Sequence, residues 1–339
     1  MKDRSAAAAR AVWLGWLVQV LLIVAVIGLG AWTVQHALDV LRARGVRSGF
    51  DFLWQPAGFG IGEGWLDFDA DQPFWRAFLA GLVNTLRAAL PAAVLAVVLG
   101  TALGIGRLAP HVLVRGVCTA YVEAVRNVPL LVQMLMLYFA LTHLLPDSTE
   151  AMALMPGVWL SKGGLSMPWL VSGVADGSDA GGWPLHVEWP ERGSFNVSGG
   201  AALSPEYLAV VLALALYTAA FIAEIVRAGI GSVSQGQKLA AQAMGLSPLQ
   251  QLRIVVLPQA LRVIVPSLTN QLLSLTKNSS LAVAVGYPEL VSIANTTLNS
   301  TGRAFECIAV VMAVYLSLSL LISGGMNRYN ARVAMRGWQ

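Results

Sequence analysis

Charge is what this chain has least of. Its 339 residues hold 22 lysines and arginines and 18 aspartates and glutamates, so 12% is charged while 56% is hydrophobic. A soluble globule carries about 25% charged residues, and with a mean hydropathy of +0.66 this chain is excluded from that class. Cysteine is nearly absent too. Cys118 and Cys307 each sit in or beside an apolar run, with no metal spacing and no implied disulfide. The four histidines, His36, His111, His143 and His186, are scattered, and neither H-E-x-x-H nor G-x-S-x-G occurs. Those absences argue against an intramembrane enzyme, so no catalytic and no metal-binding residue is assigned. The chain also lacks G-x-x-x-x-G-K-[ST] and therefore does not cradle nucleotide phosphates itself. The formal net charge of +4 is modest. Its basic residues flank apolar runs instead of forming one stripe, so nucleic acid is not a partner.

What the chain has is apolar length. Several runs approach the ~20 residues that cross a bilayer, which predicts an all-α polytopic membrane protein with about six transmembrane helices. The first run, about 11–32, follows Lys2, Arg4 and Arg10 as a signal peptide would. Its core of roughly 22 residues exceeds the 7–15 of a signal sequence, so a retained helix is expected. Residues 34–76 are mixed, with Arg42, Arg44 and Arg47 early and Glu63, Asp67, Asp69 and Asp71 late. There Trp54 and Trp65 suggest an interfacial segment. Further spans are expected at about 78–105, 117–145 (interrupted by Glu123, Arg126, Asn127 and Pro129), 204–230 and 308–323. Another begins near 263 and breaks around Asn278-Ser279-Ser280 and Gly286-Tyr287-Pro288. The insert 146–203 carries Asp147, Glu150, Asp176, Asp179, Glu188 and Glu191 against Lys162 and Arg192 and is expected to be a loop. Ser204-Pro205-Glu206 supplies an N-cap, an N1 proline and a first-turn acid for the span that follows.

No acid occurs from 225 to 288, where Arg227, Lys238, Arg253 and Arg262 are present. By the lysine and arginine bias of inner loops, this side is cytoplasmic, together with Arg107, Arg115 and the C-terminal arginines Arg328, Arg332 and Arg336. The acidic insert then faces outside. The first helix is ambiguous on charge alone, but six spans with a cytoplasmic C-terminus require a cytoplasmic N-terminus.

Within the acid-free stretch, residues 235–244 are rich in helix formers, and Gly245 is placed to end that helix in the left-handed region. Ser247-Pro248-Leu249-Gln250 restarts a helix with a capping box, and Pro258 is expected to stop it or bend the way into the next span. Glu224 and Arg227 lie three apart on one helical face and are able to pair, either as structure or in a substrate or gating role. Glu123 and Arg126 share that spacing, read as structural. Arg87, one to two turns inside its span, is expected to snorkel outward. Asn270, Gln271, Ser274, Thr276 and Asn278 form a polar seam beside the break after Asn278. It faces either a transport path or a neighbouring helix.

Several of these stretches together resemble one family. Leu239-Ala240-Ala241, Gly245, Val255 and Leu257-Pro258 repeat the spacing of the coupling loop of ABC importer permeases, Glu-Ala-Ala–x3–Gly–x9–Ile-x-Leu-Pro. Leu239 stands where that family has glutamate, and Val255 where it has isoleucine. Gly81-Leu82-Val83-Asn84-Thr85-Leu86 and the stretch from Tyr121 to Gln133, with its E-x-x-R-x-x-P-L-L-x-Q pattern, resemble polar amino-acid importers. So do Tyr217–Arg227 and Thr276–Leu281. The extra N-terminal helix, Ser48-Gly49-Phe50-Asp51-Phe52-Leu53 and the long insert resemble the general L-amino-acid permease subgroup.

The resemblance implies a type I ABC importer permease core of five helices plus one extra N-terminal helix. It divides the chain into 1–33 (tail and first helix), 34–76 (a periplasmic, interfacial segment), 77–330 (the transmembrane domain, with insert 146–203 and coupling loop 231–258) and 331–339 (a cytoplasmic tail). The implied activity is ATP-driven, binding-protein-dependent import of L-amino acids across a bacterial inner membrane by alternating access. The implied partners are a cytoplasmic ATPase dimer that holds ATP and magnesium, a second and sister permease, and a periplasmic amino-acid-binding protein. The competing reading is an ion-coupled secondary transporter. It predicts central buried carboxylates and internal repeats, and few such acids and no clear repeat are present.

Overall fold

Small residues, more than large ones, decide how this chain packs. The computed structural model describes residues 2–43, 49–172, 185–194 and 196–335. Arg44, Arg47, Ser48, Asp176, Asp179 and Arg336, used above, lie outside the described residues. Helix α1 (Lys2–Ala43) holds an apolar stretch, Trp13–His36, none of which is buried within the chain. A 3-10 turn (Asp51–Trp54) and an extended strap lead to α2 (Phe74–Gly106).

The centre of the molecule is α2 against α5 (Pro205–Gly231). Ala88, Ala92, Ala96, Gly100 and Gly104 recur every four residues along one buried face of α2, and Ala209, Ala213, Ala219, Ala220 and Ala223 are buried on α5. A Cβ at Gly100 would sit 2.6 Å from Ile222 Cβ and 2.7 Å from the Ala219 carbonyl oxygen; one at Gly104 would sit 2.8 Å from the Ala223 oxygen. Two backbones in such contact gain dispersion energy where lipid offers no hydrophobic drive. Gly100→Val is therefore expected to push the helices apart and destabilise by about 1–3 kcal/mol, read as a lowered melting temperature of the purified chain. Unchanged melting would show that α2 and α5 do not meet at this glycine.

The third expected span is an elbow. Helices α3 (Val112–Asn127) and α4 (Leu130–His143) meet at 103°. Pro129 disfavours helical geometry at the residue before it, and Val128 is extended. Gln133 Nε2 then donates to the Val125 and Val128 oxygens at 2.8 and 2.9 Å, satisfying carbonyls near the break. At 1.5 Å per residue the arms are roughly 24 and 21 Å long, each short of the ~30 Å hydrocarbon core. Among the described residues five helices are long and apolar enough to cross a membrane, six if the elbow counts as one span.

The insert is not the loop expected of it. Strands β1 (Met152–Met155), β2 (Val158–Ser161) and β3 (Gly164–Met167) form an antiparallel sheet closed by β8 (Ala201–Leu203). Two hairpins lie between β3 and β8: β4 (Trp169–Ser172) with β5 (Leu185–Glu188), and β6 (Glu191–Arg192) with β7 (Val197–Ser198). Strands of two to four residues are too short to print an alternation in sequence. The start of α5 is as expected: Ser204 Oγ accepts from Tyr207 N at 3.0 Å with Pro205 in the first turn.

After α5 come α6 (Gln235–Ala243), α7 (Pro248–Gln250), a π-helical turn (Gln251–Val256) and α8 (Leu257–Asn278). Pro258 does not stop this run. It lies in the first turn of α8, where its missing N–H is tolerated, and the wider π turn precedes it. The break at 278 is real: Ser279–Val285 is 3-10 and Gly286 is left-handed, φ 83°. A short helix α9 (Leu290–Thr301), unforeseen, precedes α10 (Ala304–Met335). Separate cores result. The largest joins α2, α4, α5 and α8, and another packs the 52–78 segment on α9 and α10.

Candidate functional site

The loop after α5 is built by its caps. Gly245 has φ 77° and follows α6, while the Leu246 N–H returns to the Ala241 oxygen at 3.2 Å, so the helix end is closed. Ser247 and Gln250 complete the capping box: Ser247 N donates to Gln250 Oε1 at 2.8 Å and Gln250 N to Ser247 Oγ at 3.4 Å. Of the motif positions, Ala241 is buried and Val255 half-buried, while Leu239, Ala240, Gly245, Leu257 and Pro258 are exposed. With Leu239 come Met244, Leu249, Leu252 and Ile254, all exposed on the same hairpin. Such an apolar cluster on a polar loop marks an interaction surface.

Glu224 pairs with Arg227 as its spacing suggested, Oε1 to Nη2 at 2.5 Å. It also bonds Arg107 from the end of α2, a partner 117 residues away. The carboxylate thus ties α2 to α5. Glu123 and Arg126, by contrast, form no ion pair among the described residues. Arg126 instead lies 5.1 Å over the Phe221 ring, a cation–π contact that fixes α3 on α5.

The polar seam is only partly one surface. Asn270, Ser274 and Asn278 recur every four residues on α8; the first two are exposed, and Asn278 and the adjacent Gln271 are half-buried. Thr276 lies on the opposite, buried face, with its hydroxyl donating to the Leu272 oxygen at 3.0 Å. Glu224 bonds Arg107 and Arg227. A spanning helix that exposes amides and hydroxyls on one face cannot present it to lipid cheaply, so that face needs another protein or an aqueous path.

Arg87 does not snorkel to water. It is 8% exposed. Its Nη1 meets Glu63 Oε1 of the strap at 3.2 Å, and its guanidinium lies 4.6 Å over the Tyr207 ring. Glu63 Oε2 accepts from Ser204 Oγ at 2.6 Å. Asn84 Nδ2 donates to the Glu63 and Pro288 oxygens at 2.9 and 3.0 Å. Strap, α2, α5 and the turn before α9 are thereby locked at one end of the bundle. Arg303, between α9 and α10, anchors the chain upstream of the strap through Asp51 Oδ2 at 3.0 Å. That carboxylate holds the guanidinium pKa above its ordinary value. Glu289 is fully buried between α8 and α9, and burial pushes its carboxyl up to about 7 against the Val291 and Ser292 N–H groups. Neither Glu63–Arg87 nor Arg107–Glu224 carried a sequence signal, since no local spacing links their partners.

Comparison with known proteins is extensive. The family model described as "Binding-protein-dependent transport system inner membrane component" matches residues 96–334. YhdX of Escherichia coli (strain K12) is 40% identical over 369 aligned positions, covering 94% of this chain and 94% of its own. The General L-amino acid transport system permease protein AapQ of Rhizobium johnstonii (strain DSM 114642 / LMG 32736 / 3841) is 38% identical, covering 94% and 91%. A chain in the crystal structure of an amino acid ABC transporter with histidines is 24% identical. It aligns over 76% of this chain and 95% of its own with a TM-score of 0.55, a likeness of fold.

Proposed function

Because the chain belongs to the family of binding-protein-dependent transport system inner membrane components, we propose that its 235–258 hairpin receives the stroke of a separate ATPase and passes it to the spans. The chain is a permease component of an ATP-driven amino-acid importer, not an ion-coupled carrier, and a multi-pass membrane protein without catalysis of its own. The finer assignments are our reading. ATP and magnesium sit on the ATPase, which docks on the hairpin in the cytoplasm, and a periplasmic binding protein delivers L-amino acids to the opposite end. A sister permease stands opposite the α8 face of Asn270, Ser274 and Asn278, and the amino-acid path runs between the two. Both termini are cytoplasmic.

The observation that carries this reading is the exposed apolar hairpin. Leu239, at the position of the family's glutamate, is 57% exposed, so the contact here is apolar instead of ionic. Capped at both of its helices and joined to α8 through a continuous helical turn, the hairpin is stiff enough to move as one body. Tilting it shifts α8, and with α8 the α5 and α2 packed behind it. A packed interface of this kind has discrete arrangements, which is what alternating access requires.

The test is a pull-down from detergent-solubilised native membranes, with ATPase assayed in the eluate. A co-purifying ATPase whose rate rises with amino-acid-loaded binding protein is the expected result. If the chain emerges alone from several mild detergents, and vesicle transport follows an ion gradient without ATP, the reading is wrong.

A further inference from the structure

The strap has an unusual composition. From Ala57 to Trp65 it reads A-G-F-G-I-G-E-G-W, glycine at every second position. Ala57 N donates to the Gln72 oxygen and Gly58 N to the Ala70 oxygen, both at 2.9 Å, so the strap is pinned against residues 70–72, with a left-handed turn at Gly58, φ 72°. Phe59, Ile61 and Glu63 are half-buried, whereas the glycines between them are exposed. Residues 59–63, Gly60 and Gly62 among them, line a cavity of about 470 Å³ whose other walls include Tyr138 of α4, Glu206 of α5 and Ser292 and Ile293 of α9. That volume is within the range of small-molecule sites. The strap wall lies upstream of residue 96, outside the matched family core.

The charges around the cavity do not balance. Glu63 is answered by Arg87 and by the Ser204 hydroxyl. Glu206 receives only the Tyr138 hydroxyl, at 3.1 Å on Oε1, and among the described residues no cation meets it. An acid in the first turn of a helix is favourable in water through the helix dipole, but this one opens into a half-apolar cavity. One carboxylate thus faces the cavity without a cation among the described residues. A metal ion does not suit it: hard cations take six or more oxygens, and no cluster of metal-binding side chains exists among the described residues. Phe59 and Ile293 offer apolar surface beside the charge. The ligand chemistry that fits is an organic ammonium with a carbon body.

We infer that this pocket is an amino-acid-binding site separate from the α8 path, with Glu206 Oε2 accepting from the ligand's α-ammonium group, Ser292 within the same wall, and the side chain against Phe59 and Ile293. Asn84 holds the pocket's shape by joining the Glu63 and Pro288 backbones. The inference rests on the orientation proposed above, in which this end of the bundle faces outside. A substrate released by a binding protein would meet the pocket before it meets the α8 face.

The test uses the assembled transporter in nanodiscs, without binding protein or ATP, and radiolabelled L-glutamine as probe. Saturable binding is expected, and Glu206→Gln should raise Kd by about tenfold or more, the loss of one charge-assisted hydrogen bond. Glu206→Asp should recover part of it. Independently of any folding defect at position 206, a thiol reagent should label Ser292→Cys more slowly when L-glutamine is present. An unchanged Kd in Glu206→Gln, or labelling that L-glutamine does not slow, overturns the assignment. Stimulation of ATPase by loaded binding protein is measured on the same preparation. Its absence in the wild type sinks the importer mechanism, while the binding and labelling results still decide the pocket.

Discussion

Aspartate at both Met244 and Leu249 is expected to release the ATPase from the complex. The two side chains are 71% and 73% exposed and contribute little to the chain's own packing, so their replacement should leave the permease folded. In the docked assembly each is expected to be covered, and covering a large apolar side chain gains about 1.5–3 kcal/mol. Losing two such contacts amounts to roughly 3 kcal/mol or more, beyond a hundredfold in affinity, before the burial of two carboxylates is counted. Co-purification of ATPase with the double variant should fall below detection, and transport with it, while membrane content stays at the wild-type level. Retention of ATPase at wild-type stoichiometry would mean that the hairpin does not dock through its apolar face.

The second large effect is expected from Glu63→Ala. Arg87 lies inside a span with its side chain 9% exposed, and Glu63 is its only carboxylate partner among the described residues. Removing one member of a buried pair leaves an uncompensated charge and costs about 3–5 kcal/mol. Here the change also removes the acceptor of the Ser204 hydroxyl. The melting temperature of the purified chain should drop steeply, whereas the paired change Glu63→Leu with Arg87→Met should cost less than Glu63→Ala alone. Equal melting of Glu63→Ala and wild type would show that Arg87 finds its compensation elsewhere, for instance in lipid headgroups.

These two predictions draw on unequal kinds of information. The hairpin was readable because caps are local chemistry. Ser247 and Gln250, Gly245, and Ser204 with Pro205 each act within four residues of themselves, and each behaves in the structure as its side chain dictates. The break after Asn278 was readable for the same reason. The Arg87 pair was not, because its carboxylate is 24 residues away across a strap whose path no periodicity reveals. Arg107 is further still from Glu224. Where two candidates competed locally, spacing misled: Arg126 prefers the Phe221 ring to the carboxylate three residues before it. Position in sequence puts Thr276 with the α8 seam, but the helical turn places it on the opposite, buried side. The insert's strands were missed because pairing between short segments is set by tertiary context, which sequence reports poorly.

Helix α1 has a consequence for biogenesis. Its 24-residue apolar stretch measures roughly 36 Å, long enough to cross a bilayer with some tilt, and it buries no part of that stretch in the remainder of the chain. Insertion of α1 during synthesis therefore need not wait for any other segment. Its hydrophobic free energy is gained in full before α2 has met α5. The folding of the later helices begins from a nascent chain already held at the membrane, and the two events are thermodynamically separate.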